Sequence, residues 1–161
     1  MQRLTLTPRP DWQAHVEQEL GFAFHTIDGK PYWDETACYG LTAVEVDALE
    51  AAIDELEQMA LELVNRVVLA GEAAYERLRI PAIAWPAIER SWTEGEKNLY
   101  GRFDLRYDGQ GPPKLLEYNA DTPTALFEAA VVQWDWLQSC WPQRDQFNSL
   151  HERLIEAWRH F

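Results

Sequence analysis

Two short stretches of alternating polar and apolar residues contain the side chains best suited to chemistry. Arg102 and Asp104 lie two residues apart in the first stretch, and Glu117 and Asn119 lie two residues apart in the second. Because successive side chains of a strand point to opposite faces, the members of each pair share a face. The Gly/Pro-rich segment between the stretches predicts an antiparallel hairpin.

The register of this hairpin decides whether the two pairs meet. A four-residue turn over residues 109–112 places Asp104 opposite Glu117 and Arg102 opposite Asn119. A turn with an odd number of residues would send Glu117 to the other face. The alternate face is apolar and is expected to pack on a core. Its residues are Phe103, Leu105, Leu116 and Tyr118.

Two carboxylates that face each other across a hairpin repel unless a cation lies between them. Arg102 supplies part of the required positive charge, and a divalent metal ion would supply more. Carboxylate oxygens and an Asn carbonyl suit Mg²⁺ better than zinc. The pattern therefore favours a magnesium site, and an ordinary polar hairpin face is the alternative interpretation.

A helix is expected directly after the second strand. Thr122 is a candidate N-cap, and Pro123 suits the first helical position because it lacks the N–H that would be unpaired there. Residues 125–137 would continue the helix. Free N–H groups in its first turn would bind an anion beside the metal. Such an arrangement suits a phosphorylated intermediate.

One continuous stretch carries a family resemblance. The sequence GRFDLRYDG…PKLLEYNADTPTALFEAAVVQW resembles the glutathionylspermidine synthase family, ATP-grasp-type enzymes that join a carboxylate to an amine. The resemblance extends upstream to the run from Gly21 through PYWDETACYGLT, so it covers most of the chain. The EYNAD segment is its most specific part.

The resemblance implies a role for each polar side chain of the hairpin. Acidic residues and an Asn bind Mg²⁺ in this family, which implies Asp104, Glu117 and Asn119 as metal ligands. An Arg stabilises charge on the reacting phosphoryl or acyl group, which implies Arg102 as the catalytic and ATP-contacting residue.

Hydroxyl residues just after the Asn position the thiol peptide in this family. The resemblance therefore implies Thr122 and Thr124 as substrate-binding residues. The implied activity is that of an ATP-dependent carboxylate–amine ligase with ATP and Mg²⁺ as cofactors. It would join the carboxylate of a glutathione-like peptide to a polyamine-like amine through an acyl phosphate.

The chain is shorter than the synthetase unit of that family. Residues 1–161 are therefore expected to form a single domain, the front portion of a synthetase. Most nucleotide-binding residues would lie beyond Phe161, and no amidase domain is expected. The missing C-terminal part is an expected partner, and the fragment alone is expected to be inactive.

Other functions remain open on sequence alone. The chain can be a non-catalytic binding or interaction module derived from the same family. A protein that binds a divalent cation with the hairpin alone is a weaker hypothesis, because three ligands without phosphate would hold Mg²⁺ feebly. A glycosidase that uses Asp104 and Glu117 is disfavoured, because directly opposed residues lie too close for an inverting pair.

Composition narrows the possible partners. A net charge of −13 in 161 residues argues against nucleic acid, which requires clustered Lys and Arg. The sequence contains no run of about 18 apolar residues, so no membrane span is predicted. We expect a cytoplasmic protein that acts on small molecules. Cys38 and Cys140 are expected to be buried thiols.

The remaining pattern predicts an α+β fold, with helices packed on antiparallel hairpins. Residues 1–10 are expected to be an extended arm, and Asp11 is expected to cap a helix that ends at Gly21. Asp28-Gly29 predicts a tight hairpin turn with strands at 22–26 and 30–33.

Further helices are predicted along the chain. Thr42 and Glu45 form a capping box before a long helical stripe, which Gly71 interrupts. A short helix is expected from Pro86 to Trp92, and a last one from Asp145 onward. Core packing is favoured over the lining of a pocket for three aromatic residues, Tyr32, Trp33 and Tyr39.

Overall fold

A computed structural model of the chain describes residues 1–160. The chain divides into two compact units, one made of Met1–Val46 and the residues from Gly101 onward, the other of Asp47–Tyr100. That the two units form a single domain stays a prediction. Among the described residues, no helix combines the length and the apolar composition that crossing a membrane requires.

Within residues 1–160, six strands pair into three separate two-stranded antiparallel sheets, β1 with β4, β2 with β3, and β5 with β6. The strands are β1 (Gln2–Thr5), β2 (Thr26–Ile27), β3 (Lys30–Pro31), β4 (Ala37–Gly40), β5 (Arg102–Arg106) and β6 (Lys114–Asn119). The helices are α1 (Trp12–Leu20), α2 (Ala43–Ala70), α3 (Glu72–Arg77), α4 (Trp85–Glu94), α5 (Gln133–Cys140) and α6 (Leu150–Trp158). A π-helical turn, Glu128–Val132, leads directly into α5, and a 3₁₀ turn, Ala82–Ala84, precedes α4. This mixture of helices and small antiparallel sheets confirms the α+β class.

The amino-terminal residues are extended, as expected, but part of this arm is paired as a strand. Gln2–Thr5 pairs with β4 in a continuous register, in which Leu4 lies opposite Cys38. The backbone hydrogen bond from Leu6 to Thr36 (2.8 Å) extends this pairing beyond the strand. The first residues are thereby fixed to the segment that follows the first hairpin.

Local turn signals correctly predicted the first hairpin turn and the end of α1. Asp28 (φ 51°) and Gly29 (φ 72°) both adopt the left-handed conformation that a tight two-residue turn requires. The flanking strands are shorter than predicted, with two residues each. Gly21 ends α1 in the left-handed conformation (φ 72°). Asp11 occupies the N-cap position of α1, as predicted, but it is left-handed and its side chain makes no capping bond.

The core of the first unit consists of Val16, Phe22 and Val132, which are fully buried. The half-buried side chains of Trp12, Leu20, Trp33 and Phe127 pack against it. This core joins α1, the hairpin segment and the π-helical turn. Tyr32 and Tyr39 are not core residues, since they are 46% and 59% exposed.

The capping box at the start of α2 is confirmed. The Thr42 N–H donates to Glu45 Oε2 (2.8 Å), and the Glu45 N–H donates to Thr42 Oγ1 (3.3 Å). Gly71 (φ 63°) interrupts the helical run between α2 and α3, as predicted. Within the second unit, Trp92 Nε1 donates to Asn65 Oδ1 (3.0 Å) and joins α4 to α2.

Two further expectations, on the last helix and on the cysteines, need correction. The last helix begins at Leu150 and not at Asp145, because the Asp145 side chain accepts the Gln146 N–H (2.8 Å) in a local turn. Cys38 and Cys140 are half-buried free thiols and are not fully buried. Burial raises the pKa of both thiols.

Candidate functional site

The central hairpin brings the predicted polar residues to one face. Strands β5 and β6 pair antiparallel, with Arg102 opposite Asn119 and Asp104 opposite Glu117. The predicted pairing is therefore confirmed at the positions that matter for the site. Two carboxylates and a guanidinium lie side by side on this ribbon.

The rest of the hairpin differs from the prediction. Its loop spans residues 107–113, and the register shifts just after Asp104, so that Leu105 pairs with Leu115. Leu116 is the additional residue of this bulge and is 67% exposed. The expectation that Leu116 packs on a core is therefore wrong, because a bulged residue leaves the regular alternation of faces.

Arg102 is held from two directions. Its Nε and Nη2 donate to the two carboxylate oxygens of Asp104 (2.7 and 3.2 Å). Its Nη1 donates to both the carbonyl oxygen and the Oγ1 of Thr124 (3.0 Å each). Arg102 Nη2 also lies 3.9 Å from Glu117 Oε1. The guanidinium thus occupies part of the space between the opposed carboxylates.

The charges of this cluster stabilise one another. The hydrogen bond to Asp104 raises the pKa of Arg102, and the hydrogen bonds from Arg102 lower the pKa of Asp104. Both groups therefore stay ionised at neutral pH. Two carboxylates against one guanidinium leave a net charge of −1 among Arg102, Asp104 and Glu117. A net negative charge of this kind favours a cation at the hairpin face.

Asn119 completes the oxygen-bearing set. Its Nδ2 donates to Glu117 Oε1 (2.7 Å), so its carbonyl oxygen is not used in that contact. Magnesium commonly takes one or two carboxylates and fills its other positions with water and substrate phosphate. Among residues 1–160, no group of three or more His, Cys, Asp or Glu side chains is placed to hold a metal ion. The donor set fits Mg²⁺ bound together with phosphate, and not a metal cage made by the protein alone.

The segment after β6 differs from the predicted helix start. Helical structure begins at residue 126 and continues to residue 140, beyond the predicted end. Thr122 has a positive φ (45°), so it is not an N-cap, and Ala125 is also left-handed (φ 72°). The oxygens of Thr124 accept the Arg102 hydrogen bonds and are thereby directed at the site instead of at a helix. Of the two threonines predicted to bind substrate, Thr124 is the one in contact with Arg102.

Two residues at the edge of this cluster were not predicted as site residues. Tyr32 donates its hydroxyl to Glu128 Oε1 (2.6 Å). This bond is the main reason why the pKa of Tyr32 is raised, although the positive charge of Arg102 acts in the opposite direction. The ionised form of Tyr32 would in turn raise the pKa of Arg102. Tyr32 and Arg102 lie 70 positions apart, so no spacing pattern in the sequence links them. Glu128 does lie within the stretch that carries the family resemblance.

A second polar cluster in the first unit was also missed. Arg9 donates to Glu35 Oε1 (2.7 Å) and to Asp135 Oδ2 (2.8 Å), and the Glu35 side chain is fully buried. His15 Nε2 lies 3.0 Å from Asp135 Oδ1. Burial alone would raise the pKa of Asp135, but the hydrogen bonds that its carboxylate accepts from His15 and Arg9 outweigh it and lower the pKa.

The comparison with protein families gives one match over nearly the whole chain. Residues 3–161 match the family described as glutathionylspermidine synthase preATP-grasp. The matched range includes both strands of the central hairpin and the segment that follows.

Comparison with individual proteins gives relatives named as ligases and synthetases. The chain is 43% identical over 165 aligned residues to a Haemophilus influenzae protein named as an acid–amine ligase, and this alignment covers 99% of the chain but 41% of the relative. It is 38% identical over 68 residues to the trypanothione synthetase of Crithidia fasciculata (40% of the chain, 10% of the relative). It is 30% identical over 126 residues to the bifunctional glutathionylspermidine synthetase/amidase of Escherichia coli (76% of the chain, 20% of the relative).

The chain thus spans about two fifths of the length of the Haemophilus relative and a smaller share of the other two. Its fold, its matched residues and these relatives agree. The chain belongs to the glutathionylspermidine synthase pre-ATP-grasp family.

Proposed function

We propose that this chain is the part of an ATP-dependent acid–amine ligase that holds Mg²⁺ and stabilises charge on the reacting phosphoryl or acyl group. The observation that carries the proposal is the direct pairing of Asp104 with Glu117, flanked on the same face by Arg102 and Asn119. The names of the relatives support a reaction between an acid and an amine.

The metal would be held by Asp104, Glu117 and Asn119, whose oxygens fit Mg²⁺ in number and kind. When bound, the ion supplies positive charge that neutralises phosphate oxygens and orients them. The protein side chains fix where this charge lies. Asp104 is itself held in place by Arg102, so the position of one carboxylate is set before any ligand arrives.

Arg102 is suited to electrostatic stabilisation and not to proton transfer. Its raised pKa keeps it protonated, so it does not act as a base. Four of its five N–H groups bond to Asp104 and Thr124 in the described part of the chain, which leaves one N–H on Nη2 for an oxygen of the reacting group. A donor fixed in this way stabilises developing negative charge without reorganising during the reaction.

We propose an amide-forming reaction in two stages. The carboxylate of a glutathione-like peptide takes the terminal phosphoryl group of ATP to form an acyl phosphate and ADP. The amine of a polyamine-like substrate then attacks the acyl carbon, and inorganic phosphate leaves. Thr122 and Thr124 are proposed to contact the peptide. The net charge of −13 favours a cationic amine as the second substrate.

The partner of this chain is proposed to be the remaining part of the same ligase, which would supply most contacts to the nucleotide. The fragment alone is then expected to be inactive. A reaction that consumes ATP fits a cytoplasmic location, which we propose for the protein.

The test uses the complete protein that contains this chain, with ATP, Mg²⁺, glutathione and spermidine as the first substrate pair. Phosphate release and the mass of the amide product are measured together. Arg102→Ala is expected to lower turnover by about 100-fold to 1,000-fold, the usual cost of removing a charge-stabilising donor. Arg102→Lys is expected to recover little, because an ammonium does not reproduce the planar fork.

The control is Arg66→Ala, which removes an exposed guanidinium paired with Glu62 on the surface of α2. It is expected to leave turnover unchanged. Full activity of Arg102→Ala would contradict the proposal. A wild-type protein that binds these substrates without ATP-dependent turnover would instead support the non-catalytic alternative, a binding or interaction module.

A further inference from the structure

The contact between Tyr32 and Glu128 lies at the edge of the Arg102 cluster. The Tyr32 hydroxyl donates to Glu128 Oε1 at 2.6 Å, a short bond to an acceptor that carries charge when ionised. Glu128 begins the π-helical turn, four residues after Thr124. A single side-chain bond therefore joins the first hairpin to the segment that anchors Arg102.

Tyr32 and the residue before Glu128 lie near the same buried ring. The ring of Tyr32 lies 6.5 Å from that of Phe22, and the ring of Phe127, the neighbour of Glu128, lies 5.9 Å from it. Phe22 is fully buried. The Tyr32 backbone is also fixed, because its N–H donates to the His25 carbonyl (2.9 Å). The ring of Tyr32 and the chain beside Glu128 thus both lie next to the core.

The segment between the two anchors is conformationally costly. Ala125 lies between the anchors with a positive φ angle of 72°, and Thr122, two residues before the first anchor, has a φ of 45°. Residues other than glycine adopt such angles only when their surroundings compel them. Two sets of contacts hold this segment. Arg102 binds both oxygens of Thr124 at one point, and Tyr32 binds Glu128 at the other.

We propose that Tyr32 is a positioning residue for the Arg102 site: its hydroxyl fixes Glu128 and so keeps Thr124 where it anchors the guanidinium. This inference rests on the proposed function, because turnover is the property that would report the position of Arg102. The raised pKa of Tyr32 agrees with it, since the phenol stays protonated and keeps donating at neutral pH.

The test compares Tyr32→Phe with wild type in the complete protein, with Tyr39→Phe as the matched control. Tyr39 is an exposed tyrosine of β4. The phenylalanine at position 32 keeps the ring contacts and removes the hydroxyl. A guanidinium that is slightly misplaced binds the ground state almost equally well but stabilises the transition state poorly. The expected result is a fall in kcat of about tenfold with little change in KM, and no change for Tyr39→Phe.

A double mutant separates positioning from a general loss of structure. If Tyr32 acts through Glu128, the double variant Tyr32→Phe/Glu128→Ala has the same kcat as Glu128→Ala alone. Two independent structural losses would instead multiply. Thermal unfolding followed by circular dichroism checks that each variant is folded at the assay temperature.

The outcomes distinguish this inference from the proposed function. A wild-type kcat in Tyr32→Phe, or multiplicative effects in the double variant, overturns the positioning role, while an inactive Arg102→Ala leaves the proposed function standing. Full activity in Arg102→Ala overturns both. Two results together support the inference. Tyr32→Phe has a reduced kcat with an unchanged KM, and adding Tyr32→Phe to Glu128→Ala lowers kcat no further.

Discussion

Asp104 and Glu117 lie directly opposite each other on β5 and β6, although the loop between these strands is longer than a tight turn. Seven residues, 107–113, separate the strands, and a regular ladder from that loop would place Leu116 opposite Asp104. The bulge adds one residue to β6 and restores Glu117 to the face of Asp104. The loop length and the bulge thus offset each other, and the charged face of the hairpin is retained.

Substitution of Leu116 by Gln tests this account of the hairpin. Leu116 is 67% exposed, so we expect the free energy of unfolding to change by less than about 0.5 kcal/mol. A leucine that packs on a core would lose about 2 kcal/mol or more on such a change. Urea denaturation of the chain distinguishes the two values. A loss in the second range would show that the bulge is misplaced.

Local signals account for the parts of the site that the sequence predicted. Strand alternation placed Arg102 with Asp104, and Glu117 with Asn119, because a period of two needs no knowledge of the rest of the fold. The capping box of Thr42 and Glu45 was predictable for the same reason, since both of its bonds span three residues.

The helix predicted to start at Thr122 begins later, because a distant side chain competes with the local capping signal. The Thr122-Pro123 pair is a good helix start by its own chemistry. Arg102 lies about twenty positions upstream and binds both oxygens of Thr124, which keeps the segment out of a helix until residue 126. No local sequence pattern indicates a hydrogen bond between residues so far apart in the chain.

The Arg9 cluster was unpredictable for a related reason. Its hydrogen bonds join Arg9 to Glu35 and to Asp135, which follow it by 26 and 126 positions. In the sequence, each of these residues looks like an ordinary surface charge. The tertiary fold alone brings them together. A buried carboxylate such as Glu35 requires a partner, but the sequence does not say which arginine supplies it.

Removal of this partner is expected to be costly. Arg9→Met leaves the fully buried Glu35 carboxylate and the half-buried Asp135 without their shared cation. The free energy of unfolding is expected to fall by about 3–5 kcal/mol, as when one member of a buried pair is removed. Urea denaturation measures the change, with Arg90→Met, an exposed arginine of α4, as the control. A loss below about 1 kcal/mol for Arg9→Met would contradict the structural role of the cluster.

The lowered pKa of Asp135 predicts how stability depends on pH. The pKa of an aspartate in the unfolded chain is about 3.9, and that of Asp135 in the folded chain is lower. The unfolded state therefore binds the proton first, so stability rises with pH between the two pKa values. The contribution of Asp135 is complete above the unfolded pKa and is lost as pH falls through the folded pKa.

Unfolding of wild type and Asp135→Asn at several pH values measures this contribution. The difference in free energy between the two proteins is expected to be largest at about pH 5 and above, and to shrink as pH falls below about 3.9. A difference that stays constant or grows on acidification would mean that Asp135 is not stabilised as a carboxylate.

The magnesium requirement of the complete protein tests the central claim most directly, that the hairpin face holds a metal together with phosphate. ATP-dependent amide formation is measured as a function of Mg²⁺ concentration in wild type, in Glu117→Gln and in the control Glu62→Gln, whose side chain is 60% exposed like that of Glu117. We predict that Glu117→Gln needs at least about tenfold more Mg²⁺ for half-maximal turnover, while Glu62→Gln matches wild type. A Glu117→Gln protein with the Mg²⁺ dependence of wild type would contradict the assignment.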